Sequence, residues 1–234
     1  MLGRSFCPKC KKQIAWYDNI PVLSFIILRG KCRQCHKKIS WQYPIVEFAA
    51  GLLFVIAFFN NFEFRILNFE SILNFEFLVN LARNWFIISV MAVIFVYDLR
   101  WYLILDIITL PAAALVFIMN LMLGYSLWNL AISGIIGGSF FLIQFVISRG
   151  KWIGGGDIRL GLLMGLALGW PMVLVAIFLA YFIGSIAGIG LIISGQKKWG
   201  SKIPLGIFLS TTTIITLFWG QQILNWYLNF FKFL

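Results

Sequence analysis

The chain has 234 residues, of which 61% are hydrophobic and only 12% are charged. A soluble domain carries about 25% charged residues, so this composition excludes a soluble protein as well as a disordered chain. It predicts a protein that crosses a membrane several times. The formal net charge is +11, and in a membrane protein the loops that carry the excess Lys and Arg are expected to be cytoplasmic.

The chain begins with a polar head, residues 1–42, which holds nine of the nineteen Lys and Arg residues. All four cysteines lie here as two Cys-x2-Cys pairs, Cys7 with Cys10 and Cys32 with Cys35. Each pair places two thiolates on one turn, and two such turns can close a tetrahedral site for zinc. Redox dithiols and disulfides are the alternatives, but a cytoplasmic head argues against structural disulfides. We therefore predict a structural zinc site.

Seven apolar runs follow the head and predict a transmembrane domain over residues 43–234, since about 20 apolar residues cross the hydrocarbon core. The runs cover 43–60, 78–97, 102–123, 128–148, 158–168, 170–194 and 204–228. The fifth run is short, so it is either a half-length helix or joined to the sixth. The predicted fold is an all-α polytopic membrane protein with about six or seven transmembrane helices and a small N-terminal cysteine-rich domain.

Charges in the loops predict the orientation of these helices. If the head is cytoplasmic, the loop 61–77 lies outside and carries three Glu against one Arg. The loops at 98–101, 149–157 and 195–203 then lie inside, and each carries Lys or Arg. Cytoplasmic loops of membrane proteins are enriched in these cations, so we expect the head to face the cytoplasm. The membrane topology then explains the net positive charge, so we expect no binding of nucleic acid. We expect the helices to contact membrane lipid.

Four of the eight carboxylates lie in or at the ends of apolar runs, namely Glu47, Asp98, Asp106 and Asp157. Ionisable groups at membrane depth are costly and therefore indicate function. For Asp98 and Asp106, a helix-end position that reaches interfacial water is the alternative. Asp157 follows the run Gly154-Gly155-Gly156, and such a run lets another backbone approach closely. The alternative is that the glycine run is a plain loop.

Two carboxylates that share one proton can perform aspartic proteolysis, in which one deprotonates water and the other polarises the scissile carbonyl. On one continuous helix Asp98 and Asp106 would lie about 12 Å apart, too far to form such a pair. Asp157 opens a different span on the same predicted cytoplasmic face as Asp98. The spacing allows an Asp98–Asp157 pair but does not decide whether Asp98 or Asp106 is the partner of Asp157.

Together these motifs resemble the type IV prepilin peptidases, membrane aspartic peptidases of the GxGD class. In the head, the resemblance covers both cysteine pairs and the stretch 16–21 between them. In the rest it covers Tyr97-Asp98-Leu99-Arg100, the stretch 154–160 and Ile203-Pro204-Leu205-Gly206. The resemblance implies that Asp98 and Asp157 are the catalytic aspartates. It places Asp106 in the family's second acidic position, where we expect it to bind the substrate, while Gly154, Gly155 and Gly156 seat an extended substrate backbone.

The resemblance also implies a function. Such enzymes remove the short basic leader of prepilins or pseudopilins after a glycine, at the cytoplasmic face of the inner membrane of a bacterium. Many then methylate the new N-terminal residue with S-adenosylmethionine, an activity associated with the cysteine-bearing head. The alternatives are a peptidase whose head is only a zinc-stabilised cap, an ion or metal transporter, and a thiol-redox protein. The family usually has another transmembrane helix before the head, and this chain begins after that position.

Overall fold

A computed structural model of the chain describes residues 5–63, 75–198 and 200–232. Most of the predicted outer loop 61–77 lies outside these residues. The chain divides into two compact units, Met1–Ile56 and Ala57–Leu234, and the predicted domain boundary at residue 42 stays a prediction. Apart from the two isolated bridges of the head, the regular structure in the described ranges is helical, which confirms the all-α prediction.

The head contributes a short helix, α1, and seven longer helices follow it. They are α1 (Leu23–Ile27), α2 (Gln42–Glu63), α3 (Phe75–Trp101), α4 (Asp106–Met122), α5 (Leu127–Ser148), α6 (Gly155–Leu168), α7 (Met172–Ile193) and α8 (Leu205–Lys232). The seven longer helices coincide with the seven predicted runs. In the described part of the chain, five of them (α2, α3, α5, α7 and α8) are long and apolar enough to cross a membrane. The short fifth run is a separate helix, α6, of 14 residues.

The link between α3 and α4 is longer than the apolar runs predict. Helix α3 ends at Trp101, and Tyr102 adopts a positive φ of 54°, a conformation that interrupts a helix of L-residues. The chain resumes as α4 only at Asp106, four residues later than the apolar run suggests. Asp98 and Asp106 therefore lie on different helices, in agreement with the two separate runs, so the spacing calculated for a single continuous helix does not apply to them.

Glycines bring α5 and α6 into backbone contact. A Cβ atom added at Gly137 would lie 2.1 Å from the carbonyl oxygen of Gly161, and one added at Gly165 would lie 2.1 Å from that of Ser133. Small residues allow this close approach, which is a common basis of helix packing in membranes. Helix α6 also packs against α4 and α8, and α3 packs against both of these helices. The short helix α6 is thus surrounded by longer ones.

A buried polar network ties α3, α4 and α6 together near the C-terminus of α6. The guanidinium of Arg83 donates to the side-chain oxygens of Asn84 and Asn120, and the amide of Asn120 donates to the carbonyl of Leu166 at 2.6 Å. Arg83 is 6% exposed and Asn120 is fully buried. Since a buried polar group is costly unless it is hydrogen-bonded, this network fixes how the three helices sit together.

Candidate active site and cysteine site

Asp98 lies in the last turn of α3 and is 5% exposed. Its Oδ2 atom accepts a hydrogen bond of 3.1 Å from the backbone N–H of Ile207, in the first turn of α8. A Cβ atom at Gly206 would lie 2.7 Å from this oxygen, so a glycine is required for the approach. The N-terminus of a helix also stabilises a carboxylate electrostatically. Gly206, the last residue of the stretch 203–206, and Ile207 directly after it therefore hold Asp98 in place.

Asp157 is the third residue of α6 and is 7% exposed. Its Oδ2 atom accepts a hydrogen bond of 2.9 Å from the backbone N–H of Gly154, which caps the helix. Gly156 contacts Ile104, because an added Cβ would lie 2.8 Å from the Cβ of that residue. An added Cβ at Gly155 would meet no atom of the described residues within 4 Å. The three glycines thus differ: Gly154 caps the helix, Gly156 packs against Ile104, and Gly155 has space around it.

The two glycine motifs meet at Ile104, in the link between α3 and α4. Ile104 contacts Gly156 of α6, and its Cδ1 atom lies 3.2 Å from the position of a Cβ at Gly206 of α8. Each motif holds its own aspartate, so Asp98 and Asp157 lie in the same region of the protein. Two buried carboxylates from different helices can share a proton and activate water.

Asp106 occupies a different position from this pair. At the first residue of α4 it forms an ion pair with Arg159 of α6, and both side chains are about half exposed. The ion pair links the starts of the two helices two residues after Asp157. Sequence reasoning placed Arg159 in a motif but missed this role, because opposite charges 53 residues apart carry no local signal. The binding of substrate by Asp106 and the glycines stays a prediction.

The four cysteines of the head lie in two turns with the same hydrogen bonds. In the first turn, the N–H of Cys7 donates to the Lys12 carbonyl and the N–H of Lys11 donates to the Cys7 carbonyl. In the second, Cys32 pairs in the same way with Lys37 and His36. Lys11 and His36 occupy equivalent positions with φ of 57° and 54°. The repeated turn presents each pair of thiols toward the other pair.

The thiol geometry fits a tetrahedral metal site. The four Sγ atoms, those of Cys7, Cys10, Cys32 and Cys35, lie within 4.8 Å of one another, and those of Cys7 and Cys35 are 3.9 Å apart. With Zn–S bonds of about 2.3 Å, sulfurs on a tetrahedron are about 3.8 Å apart. All four cysteines are free thiols. Four soft donors at this spacing suit a zinc ion.

The thiols of this cluster differ in acidity. Hydrogen bonds from the backbone N–H groups of Cys10 and Lys9 lower the pKa of Cys7 to about 6. At Cys35 the backbone N–H of Lys37 lowers the pKa, but burial and the hydrogen bonds of the other cysteines outweigh it and raise the value to about 11. One thiolate therefore forms readily at neutral pH, and a bound cation would favour ionisation of the rest.

Comparison with known proteins identifies the family. Residues 1–61 match the family model of the bacterial peptidase A24 N-terminal domain, and residues 85–189 match that of the type IV leader peptidase family. A prepilin leader peptidase/N-methyltransferase of Aeromonas salmonicida is 33% identical over 98% of this chain and 76% of its own length. The chain belongs to the type IV leader peptidase family.

Other relatives in the leader peptidase family carry the same name. The protein of Legionella pneumophila is 30% identical over 98% of this chain and 77% of its own length, and that of Bacillus subtilis is 26% identical over 97% and 86%. No solved structure matches the chain. The two matched family regions contain the cysteine cluster and both buried aspartates, respectively, so the resemblance based on these motifs is confirmed.

Proposed function

We propose that this chain is a membrane aspartic endopeptidase that removes the basic leader from prepilins or pseudopilins, and that it also methylates the new N-terminus. Membership of the leader peptidase family supports cleavage, and the shared name of the relatives, prepilin leader peptidase/N-methyltransferase, supports both activities. The alternatives of a transporter and a redox protein have no support of this kind.

The observation that carries the proposal is the arrangement of Asp98 and Asp157. Both are more than nine-tenths buried, they come from different helices, and a backbone N–H holds one oxygen of each. Asp157 keeps its second oxygen free of hydrogen bonds to the described residues. In the proposed reaction, one aspartate takes a proton from water while the other, protonated, donates a hydrogen bond to the scissile carbonyl. Their fixed positions reduce the reorganisation that catalysis requires.

The proposed orientation places this pair at the cytoplasmic face of the inner membrane. It rests on the Lys and Arg residues of the loops at 149–157 and 195–203. A prepilin carries its basic leader on the cytoplasmic side of an apolar helix, so the cleavage site and the aspartates would lie at the same depth. Asp106, on the same side, supplies a negative charge for the leader when Arg159 releases it.

We assign the metal site to Cys7, Cys10, Cys32 and Cys35. A zinc ion bound there would cross-link the two turns and so hold the fold of the head. The head is the part of the chain that the proposal connects with methyl transfer, in which S-adenosylmethionine is the methyl donor and is consumed as a substrate.

The experiment that tests the proposal is co-expression with a prepilin and measurement of leader removal. We expect the variants Asp98→Asn and Asp157→Asn to lose cleavage by at least about a thousandfold, because an amide cannot accept the proton from water. Glu76→Gln, the same acid-to-amide change at the other end of α3 from Asp98, serves as the matched control and should cleave normally. If either aspartate variant still shortens the pilin at the rate of the control, the assigned pair is wrong.

A further inference from the structure

Helices α5 and α7 are joined by a polar contact that the proposed reaction leaves unexplained. The hydroxyl of Tyr181 on α7 donates a hydrogen bond of 2.8 Å to the Oε1 atom of Gln144 on α5. Tyr181 is 36% exposed, and Gln144 is half-buried. Both residues lie within apolar helices of a membrane protein, where polar side chains are costly and indicate either helix association or function.

The position of this contact connects it with Asp157. The ring of Tyr181 stacks on that of Phe141, with centroids 6.5 Å apart. Phe141 in turn lies against Gly161, since a Cβ there would be 2.5 Å from its ring, and Gly161 is one turn after Asp157 on α6. Gln144 lies one turn before the end of α5, and α6 begins after a short loop.

The contact lies where α5 and α7 meet. Helix α5 packs mainly against α6, and α7 packs mainly against α8, so α5 and α7 meet over only a short stretch. Phe178 and Phe182 form an exposed stacked pair on the same helix as Tyr181. This loosely packed seam, which exposes aromatic rings on α7, is the side of the bundle where a substrate helix in the lipid would meet Tyr181.

The hydrogen-bonding capacity of the pair suits a peptide backbone. An amide side chain has two N–H donors, and a phenol oxygen has two acceptor lone pairs. One N–H of Gln144 makes only a long bond of 3.4 Å to the Phe140 carbonyl, and the Tyr181 oxygen uses only its donor in the contact. The pair can thus offer one donor and one acceptor side by side, as a single peptide unit requires.

Cleavage within a membrane requires such groups. A protease acts on an extended segment, and unwinding a substrate helix leaves backbone N–H and C=O groups that cost several kcal/mol each in an apolar medium. We propose that Gln144 and Tyr181 hydrogen-bond the extended substrate backbone beside the scissile peptide, which enters between α5 and α7. This inference rests on the proposed function and assigns its substrate-binding residues.

The test measures the kinetics of purified full-length protein with a prepilin. Gln144→Met and Tyr181→Phe keep the size of each side chain and remove its hydrogen bond. We expect the double variant to raise KM at least about tenfold, the equivalent of roughly 1.4 kcal/mol of lost hydrogen bonding, with kcat within about twofold of the unsubstituted protein. Asn129→Ala is the matched control, because Asn129 of α5 also bonds across helices, to the backbone of Trp170, and its KM should not change.

A contact that only joins helices gives a different result. In that case the double variant and Asn129→Ala would both lower the melting temperature and leave KM unchanged, which would overturn the inference. An unchanged KM would not affect the proposed function, provided that the unsubstituted protein cleaves the prepilin and Asp157→Asn does not. If the unsubstituted protein fails to cleave prepilin, both proposals fall.

Photochemical cross-linking provides a second measurement that does not depend on turnover. Benzoylphenylalanine in place of Tyr181, in protein that also carries Asp157→Asn, should cross-link to the prepilin within a few residues of the cleavage site. The same group in place of Tyr227 on α8 is the control and should not do so. Equal cross-linking at both positions, or none at position 181, would contradict the inference.

Discussion

The two units of the chain are stabilised in opposite ways. In the described part of the first unit, residues 5–56, only Cys7 and Pro44 are buried, so almost no apolar core is present. The second unit has a dense core that includes fully buried Met91, Leu160 and Met164, and it buries the charged side chain of Arg83 as well. We therefore expect the head to depend on a metal bound by its four cysteines for stability, whereas the membrane unit has close backbone contacts and hydrogen-bonded buried polar groups.

The largest expected effect concerns the metal of the head. A structural zinc ion contributes about 10–16 kcal/mol to the folding of zinc-finger peptides at pH 7, more than a domain with so little core can otherwise supply. We expect purified protein to contain one zinc per chain and a chelator to unfold the head while the helices of the second unit persist. Metal analysis and proteolysis of the head check this result. Intact, metal-free protein with four titratable thiols would contradict it.

A smaller effect is expected from adding a methyl group where the backbones of α5 and α6 are in contact. The change Gly137→Ala puts a methyl group against the backbone of Gly161, which cannot move aside, and should cost about 3 kcal/mol or more. Gly190→Ala is the control, because Gly190 is helical and has no atom within 4 Å of an added Cβ. That change should be neutral or stabilise by up to about 1 kcal/mol. Thermal unfolding in detergent measures the stability of both variants. Equal losses of stability would contradict the claim that the close contact of α5 with α6 stabilises the membrane unit.

The buried polar network should contribute somewhat less. Asn120→Leu removes the acceptor of the Arg83 Nη1 group and the donor to the Leu166 carbonyl, while Asn84 still accepts from the rest of the guanidinium. We expect a loss of about 2 kcal/mol of unfolding free energy. Restoring an acceptor with Asn120→Asp should recover part of the loss, as measured by the same melting experiment. A leucine variant as stable as the unsubstituted protein would show that the network does not hold these helices.

The smallest effect concerns the ion pair of Asp18 and Arg33 in the head. Hydrogen bonds from Arg33 lower the pKa of Asp18, so the contribution of the pair is fully present above the ordinary pKa of about 3.9 and is lost as the pH falls through the lowered value. Because the Arg33 side chain is about half exposed to solvent, which weakens the ion pair, Asp18→Asn should lower the melting temperature only slightly at pH 7. This difference should narrow below about pH 4, and a difference that grows on acidification would contradict the account.

The helices could be predicted from the sequence because hydropathy is a local property. Each apolar run became one helix, including the half-length α6. Tyr102 opens an apolar run, so the start of α4 was predicted at residue 102. Because Tyr102 adopts a positive φ, the helix begins later. The glycine run before Asp157 was recognised, but the need for a glycine at Gly156 depends on Ile104, which belongs to another part of the chain.

The arrangement of the site could be predicted only in part. The resemblance selected Asp98 and Asp157, whereas spacing alone left Asp106 as an alternative. The hydrogen bond from Ile207 to Asp98 spans 109 residues, and the contact of Gln144 with Tyr181 spans 37. Such pairings depend on how the helices pack, for which the sequence offers no periodic signal. The two cysteine pairs were easier to recognise because each is contained in a single turn.

The central claim is that the two units serve two different reactions, and one measurement tests it most directly. Mass spectrometry of the pilin produced by Cys32→Ser and by Asp157→Asn reports cleavage and methylation in the same spectrum. We predict that Cys32→Ser yields a cleaved pilin without the added methyl group, and that Asp157→Asn yields only the uncleaved prepilin. A fully methylated product from Cys32→Ser, or a shortened pilin from Asp157→Asn, would contradict the account.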